Sequence, residues 1–313
     1  MDHYEGKLSM KWIALLLGLV GCLCANGQAQ EKTARQELGA EITPGKPYVY
    51  KESAGKPRKM EIYFPANHDV TKARVPGVLM FHGGGWSGGT LAQFRALCQY
   101  LASRGLVAAT AEYRMLSAAE AKQLPKGETR KRVCITDAKS AIRWFKQHAS
   151  ELGVDAQRIV TGGGSAGGHI CVLATNHKGL NDPNDPKDID VSVLAYLLFN
   201  PAFALDDDQD PEIDVHKQLQ PKLAPALVMF GSNDTWKKGW DQLQPQLVKQ
   251  GNAATTELWV ADGQPHGFFN REPWKTVTMI AADRFLVQLG LLQGETTLIA
   301  PATGEKLHRV NLE

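Results

Sequence analysis

Five of the seven residues from Gly162 to Gly168 are glycine, and they join the apolar, β-branched run Arg158-Ile-Val-Thr161 to a helix-like segment starting at Ala166. Glycine is entropically costly inside an element, so such a run signals a strained turn or a place where backbones approach closely. Two readings fit the letters. Gly163-x-Ser165-x-Gly167 has the spacing of a nucleophile elbow, in which small flanking residues let a serine hydroxyl stand above the end of a sheet. Gly162-x-Gly164-x-x-Gly167 also satisfies the dinucleotide fingerprint, which expects an acidic residue about twenty positions later, closing the next strand. Asp182 and Asp185 fall instead in the loop Asn181-Asp-Pro-Asn-Asp-Pro186. Several strand-like runs also precede the motif, whereas a nucleotide fold usually places it after the first strand. The elbow is the better reading.

From Tyr48 onward, apolar runs alternate with helical patterns, which predicts crossover units and a mostly parallel α/β sheet. Strands are expected at Tyr48–Glu52, Lys59–Phe64, Pro76–Phe81, Leu106–Ala111, Arg158–Thr161, Val191–Phe199, Ala226–Phe230 and Thr256–Val260. Helices are expected at Ala92–Ser103, Asp137–Ala149, Ala166–Thr175, Asp241–Lys249 and Pro273–Leu289. No repeat or second domain is visible. The expected division is a leader over 1–29, a polar lead-in over 30–46, a catalytic domain over 47–290 and a peripheral tail over 291–313.

Three strand-end loops carry the remaining chemistry. His82-Gly-Gly-Gly-Trp86 follows the Pro76–Phe81 strand, and its glycines leave backbone N-H groups free to face an oxyanion. Gly84 and Gly85, with Ala166 after the elbow, are the expected donors. Asp234 closes Phe230-Gly-Ser-Asn-Asp234 after one apolar strand, and His266 lies in Gly263-Gln-Pro-His-Gly-Phe-Phe269 after the next. The order serine, acid, histidine suits a nucleophile Ser165, a base His266 and an orienting acid Asp234. Asp241 falls in a helix and Asp262 stands too near His266 along the chain to replace Asp234. Trp86, Trp236, Trp240, Phe268 and Phe269 flank these loops as candidates to stack on a substrate ring; Trp86, Trp236 and Phe268 are the chosen contacts.

With 35 basic and 33 acidic residues the net charge is +2, too balanced for nucleic acid or an anionic membrane to be the main partner. The cluster Lys126, Arg130, Lys131, Arg132 lacks interleaved aromatics and reads as a solvated loop, and so does the acidic stretch Asp206–Asp214. Taken as a calcium loop from Asp206, that stretch puts Pro211 where glycine is required and Lys217 where glutamate is required. At the N-terminus, Lys7 and Lys11 precede the apolar run Trp12–Val20, too short to span a bilayer, so an export signal and a secreted or periplasmic protein are expected. Cleavage after Ala29 and lipidation at Cys22, following Leu19-Val-Gly21, both remain open. Cys98, Cys134 and Cys171 then remain, an odd number without metal spacing, and three buried free thiols are expected.

His82-Gly-Gly-Gly-Trp86, Ala111-Glu-Tyr-Arg114, Asp137-Ala-Lys-Ser-Ala141, the Ser165 elbow and Gly263-Gln-Pro-His-Gly-Phe-Phe-Asn270 together resemble the acetyl-esterase and hormone-sensitive-lipase branch of the α/β-hydrolases. Within that branch they are similar to exported bacterial carbohydrate-esterase-like proteins. The resemblance implies a mostly parallel eight-stranded sheet with its second strand antiparallel and an acyl-enzyme route needing no metal or cofactor, while the short lead-in before Tyr48 leads us to expect a small or absent lid. The polar, Lys-rich segment Met115–Arg132 departs from the branch's Pro-rich pattern. That departure and the short lead-in suggest an open site for short acyl esters of bulky alcohols such as O-acetylated carbohydrates. An arylformamidase or peptidase of the same fold, or a non-catalytic sugar-binding protein, are the alternatives.

Overall fold

The computed structural model describes residues 42–312 apart from Ala54 and Pro221, so the leader, with Cys22 and Ala29, lies outside the described residues. The described residues of 42–296 and 300–312 form one compact unit built on a nine-stranded sheet in the order β1-β2-β4-β3-β5-β6-β7-β8-β9. The strands are β1 (Lys46–Ser53), β2 (Lys56–Tyr63), β3 (Val75–Phe81), β4 (Val107–Ala111), β5 (Val154–Gly164), β6 (Ala195–Phe199), β7 (Ala226–Gly231), β8 (Thr256–Ala261) and β9 (His308–Val310). β2 is antiparallel to both neighbours, β9 is antiparallel to β8, and the pairings from β4 through β8 are parallel. The expected eight strands are thus joined by a ninth, formed by the tail at the rim of the sheet, where Val310, Arg309 and His308 pair with Leu258, Trp259 and Val260.

The sheet is covered on both faces, as its continuous apolar runs require. Leu79 and Phe81 face a core shared with α3 (Arg130–Gln147) and α4 (Ala166–Asn176), while the alternating Val78 and Met80, equally buried, lie outside that cluster. The opposite face carries α1 (Ala92–Ser103) and α7 (Trp274–Gln288), bridged where Tyr100 and Arg104 both donate to Asp283. Burial of Ile135, Ile142 and Phe145 along α3 stabilises that layer by roughly 1.5–3 kcal/mol per side chain. Short helices α2 (Ala118–Ala121) and α5 (Val215–Gln218) and the amphipathic α6 (Lys237–Lys249) complete the layers. Cys98 on α1 and Cys134 and Cys171 on the other face are free and buried.

Several boundaries move. α3 begins at Arg130, not Asp137, because Thr129 caps it by accepting from Arg132 N-H. That puts Arg130, Lys131 and Arg132 on a helix start, while Lys126 stays in an exposed turn as expected. The helix start meets the acidic stretch: Lys131 pairs with Asp207, and Arg132 forms a fork to Asp210 at 2.9 and 2.6 Å. Asp207 and Asp214 are buried, while Asp206, Asp208, Gln209 and Pro211 stay exposed, so the stretch is solvated only in part. β5 starts at Val154 and β6 only at Ala195. α6 starts at Lys237, ahead of the expected Asp241. Among the described residues no helix is long and apolar enough to cross a membrane, and no cluster of His, Cys, Asp and Glu could hold a metal.

Candidate active site

β5 runs out at Gly164, and Ser165 turns the chain into α4 with φ 51° and ψ −119°. A residue with a side chain rarely adopts a positive φ, so this conformation holds only because the surroundings enforce it. Ser165 N-H donates to Phe199 O at 3.0 Å, and Ser165 O accepts from Ala202 N-H at 3.0 Å and His169 N-H at 3.2 Å. Gly167 explains the sequence on the far side of the turn: a Cβ there would stand 2.0 Å from Phe81 O. α4 therefore abuts the end of β3, bringing its N-terminus, with Ala166, beside the loop that continues β3.

His266 and Asp234 reach the same place from the ends of β8 and β7. His266 Nε2 lies 2.8 Å from Ser165 Oγ, and His266 Nδ1 lies 2.8 Å from Asp234 Oδ2. The carboxylate can only accept, so Nδ1 carries the proton and Nε2 is left as acceptor for the serine hydroxyl. Asp234 Oδ1 takes Trp236 N-H at 2.9 Å, giving each carboxylate oxygen a donor in a side chain with no exposure. The imidazole is 31% exposed, open to a substrate on one side.

The loop after β3 is held from beneath. Tyr113 OH donates to His82 O at 2.6 Å and its ring stacks on the His82 imidazole, whose pKa burial pushes down. The neighbouring Arg114 meets Asp137 through Nε at 2.7 Å and Nη2 at 2.8 Å, which accounts for the Glu-Tyr-Arg and Asp-Ala-Lys-Ser motifs. Gly83 N-H donates to Gln93 Oε1 at 2.6 Å. Among the described residues Gly84 and Gly85 N-H have no partner, and Ala166 N-H opens a helix, where intrahelical partners are lacking. Gly83, which precedes that pair, lies beside the elbow, where a Cβ on it would stand 3.1 Å from Ser165 Cβ.

The aromatic residues divide. Trp240, Phe268 and Phe269 are buried packing residues: Phe268 stands edge-on to Trp274 and Phe269, and Phe269 packs on Phe94 and Phe199. Phe268, chosen as a substrate contact, is thus packed among aromatic rings. Trp86, 7% exposed, is walled in, its indole N-H on His169 Nδ1 at 3.3 Å and Lys131 Nζ 4.1 Å from its ring centre. Trp236, only partly buried, lies 6.2 Å from the His266 ring and is the most accessible of the group.

Asn200, beside the triad, was not singled out by the sequence. Asn200 Oδ1 accepts from Gly267 N-H at 3.1 Å, and its Nδ2 lies 3.4 Å from His266 Nε2. Its signal is the Asn-Pro pair directly after an apolar strand, at the sheet edge where strand-end loops gather. Asp207, in the acidic stretch, faces His169 and Lys131. Burial opposes its ionisation, but the bonds from His169 and Lys131 outweigh that and hold its carboxyl below the usual carboxylate range.

The BD-FAE family model matches residues 60–252, from β2 to the end of α6. A carboxylesterase, NlhH, from Mycobacterium tuberculosis is 32% identical over 115 residues, 36% of this chain and 32% of that protein. Rat arylacetamide deacetylase is 28% identical over 178 residues, 55% of this chain and 40% of that protein. The chain thus spans less than half the length of these curated relatives. A solved structure of esterase 2 from the planctomycete Thermogutta terrifontis, with propionate bound, superposes with a TM-score of 0.72 at 33% identity, covering 82% of this chain and 98% of that one. The same enzyme has also been solved phosphorylated by paraoxon. By matched length, sheet topology and the placement of its strand-end loops, this chain belongs to the BD-FAE family and has the α/β-hydrolase fold of the esterases it resembles.

Proposed function

We propose that the protein is a serine carboxylic ester hydrolase, with Ser165 as nucleophile, His266 as general base and then acid, and Asp234 as the group that fixes the imidazole tautomer. The observation that carries this reading is the unbroken Asp234–His266–Ser165 relay, 2.8 Å at each step, ending on a serine held at positive φ. His266 removes the hydroxyl proton as Ser165 attacks the ester carbonyl, and the Gly84, Gly85 and Ala166 N-H groups receive the charge that develops on oxygen. Each such donor contributes roughly 3 kcal/mol in the transition state. The imidazolium, stabilised by Asp234, protonates the departing alcohol, and a water activated by the same base releases the acyl group.

A short acyl group is favoured because Phe94, Phe199 and Phe269 fill the space beside Gly164, where even a Cβ would come within 2.7 Å of Phe269. Trp236 supports a bulky alcohol such as an O-acetylated sugar, whose faces stack on an aromatic ring. Purified protein and Ser165→Ala are treated with a fluorophosphonate probe, then assayed on nitrophenyl esters of increasing chain length and on acetylated xylo-oligosaccharides. Labelling and turnover lost in the variant support the esterase, and a fall in rate beyond butyryl supports the short acyl pocket. A folded wild type with neither labelling nor turnover refutes the reading and favours sugar binding alone. The similarity to an arylacetamide deacetylase favours amide hydrolysis as the second reading; comparing an anilide with the matching phenyl ester separates the two. Export is proposed from the leader, and N-terminal sequencing distinguishes cleavage after Ala29 from a blocked, lipidated Cys22.

A further inference from the structure

The loop that carries Gly84 and Gly85 and the loop that carries His266 come from the ends of β3 and β8, which lie far apart in the strand order. A chain of two side-chain amides joins them. Gly83 N-H donates to Gln93 Oε1 at 2.6 Å, Gln93 Nε2 donates to Asn270 Oδ1 at 3.0 Å, and Asn270 Nδ2 donates to Gly267 O at 3.0 Å. Gly83 directly precedes the oxyanion donors and Gly267 directly follows the base.

The sense of this chain is fixed at both ends, by a backbone N-H at one and a backbone carbonyl at the other. Bridging them requires two groups that each accept on one side and donate on the other, which amides do and carboxylates cannot. The clasp is also held from below: Phe94 and Phe269, the neighbours of Gln93 and Asn270 in sequence, are buried and stack at 6.0 Å with 14° between their planes. Its other end is anchored because Gly267 N-H is taken by Asn200. Gln93 Oε1 sits 3.1 Å from where a Gly164 Cβ would be, beside the elbow itself.

We propose that Gln93 and Asn270 are positioning residues that lock the oxyanion loop to the histidine loop, so that the donors and the base keep one spacing through the reaction. The inference rests on the esterase reading above. Gln93 acts through the Gly83 peptide, whose orientation aims the N-H groups that follow it.

The test compares phenyl acetate with phenyl thionoacetate, whose sulfur is a poor hydrogen-bond acceptor and so gains little from an oxyanion site. Gln93→Met keeps the side-chain length and removes both polar atoms. Because a misaimed donor loses part of the 10²–10³-fold that each one supplies, kcat on phenyl acetate is expected to fall about 10- to 100-fold, with KM within about twofold. The thionoester rate should fall about threefold or less, so the ester-to-thionoester ratio collapses. Asn270→Ala, at an exposed position that leaves folding intact, should lower the same ratio by a smaller factor, about threefold, and the double variant should be no worse than Gln93→Met alone. Equal losses on both substrates, additive losses in the double variant, or an unchanged ratio in Asn270→Ala overturns the proposal. Wild-type phenyl acetate turnover and its dependence on Ser165 report separately on the esterase reading.

Discussion

Replacing Gly167 by alanine tests whether the oxyanion site depends on the contact between α4 and β3. The added Cβ would meet Phe81 O at 2.0 Å and His82 O at 2.6 Å, both backbone atoms that cannot rotate away. Relief requires α4 and the end of β3 to separate by about 1 Å, a displacement that typically costs a catalytic site on the order of 10²-fold. Ala166 N-H lies on one side of that gap and Gly84 and Gly85 on the other, so the donors would no longer converge on one oxygen. Overpacking of this kind costs roughly 1–3 kcal/mol of stability. Gly77→Ala serves as the control. It crowds the opposite end of the same strand, with Phe145 Cε1 at 2.8 Å and Val154 Cγ1 at 2.9 Å, and should cost a similar roughly 1–3 kcal/mol without touching the donors. Urea unfolding gives the stability of each variant and steady-state hydrolysis of nitrophenyl acetate gives kcat. The expected result is comparable destabilisation in both and a kcat loss of about 100-fold in Gly167→Ala alone. If the two variants lose stability equally and both keep kcat within about threefold of wild type, the contact does not set the donor geometry and the reasoning fails.

Asp234→Asn should retain the fold and lose about 10⁴-fold in kcat, because an amide facing Nδ1 selects the wrong imidazole tautomer; residual activity near a tenth of wild type would show that another carboxylate serves. Asp207, whose carboxyl is held low in the folded protein, contributes stability that is present above the ordinary carboxylate range and lost as pH falls through it. Protection against amide exchange over 206–218, taken relative to the intrinsic exchange rate at each pH, should therefore fall on acidification below about pH 4, and Asp207→Asn should flatten that dependence. Burial pushes the thiols of Cys98, Cys134 and Cys171 up, so a chain lacking its first 29 residues should not react with Ellman's reagent at pH 8 until urea is added, when three thiols titrate. Rapid reaction in the native state would contradict their packing.

The elbow and the order of the three loops were legible because each sits at a strand end, and strand ends are marked locally by an apolar run followed by glycine or asparagine. Boundaries were less legible where polar residues continue an element: Arg130–Arg132 form the first turn of α3 on an exposed Thr129 cap, and the start of β5 reads Val-Asp-Ala-Gln-Arg. The two charged segments were misread at their paired residues for a different reason. A lysine at 131 and an aspartate at 207 each look solvated alone, and only the fold brings them together. Asn200, Gln93 and Asn270 share that difficulty, since a side-chain amide has no pattern of its own and gains meaning from a partner distant in sequence. β9 is three residues long, below the length at which alternation can be recognised.

That short strand has a consequence for the rims of the sheet. β9 covers the outer backbone of β8 and itself offers only three residues, two of them charged or titratable, to any incoming chain. At the opposite rim β1 carries Pro47, which has no N-H, and a break in register between Val49 and Lys51 that twists it away from flat pairing. Neither rim is a good template for a further strand, so the parallel centre of the sheet is shielded from edge-to-edge polymerisation by two features at its margins.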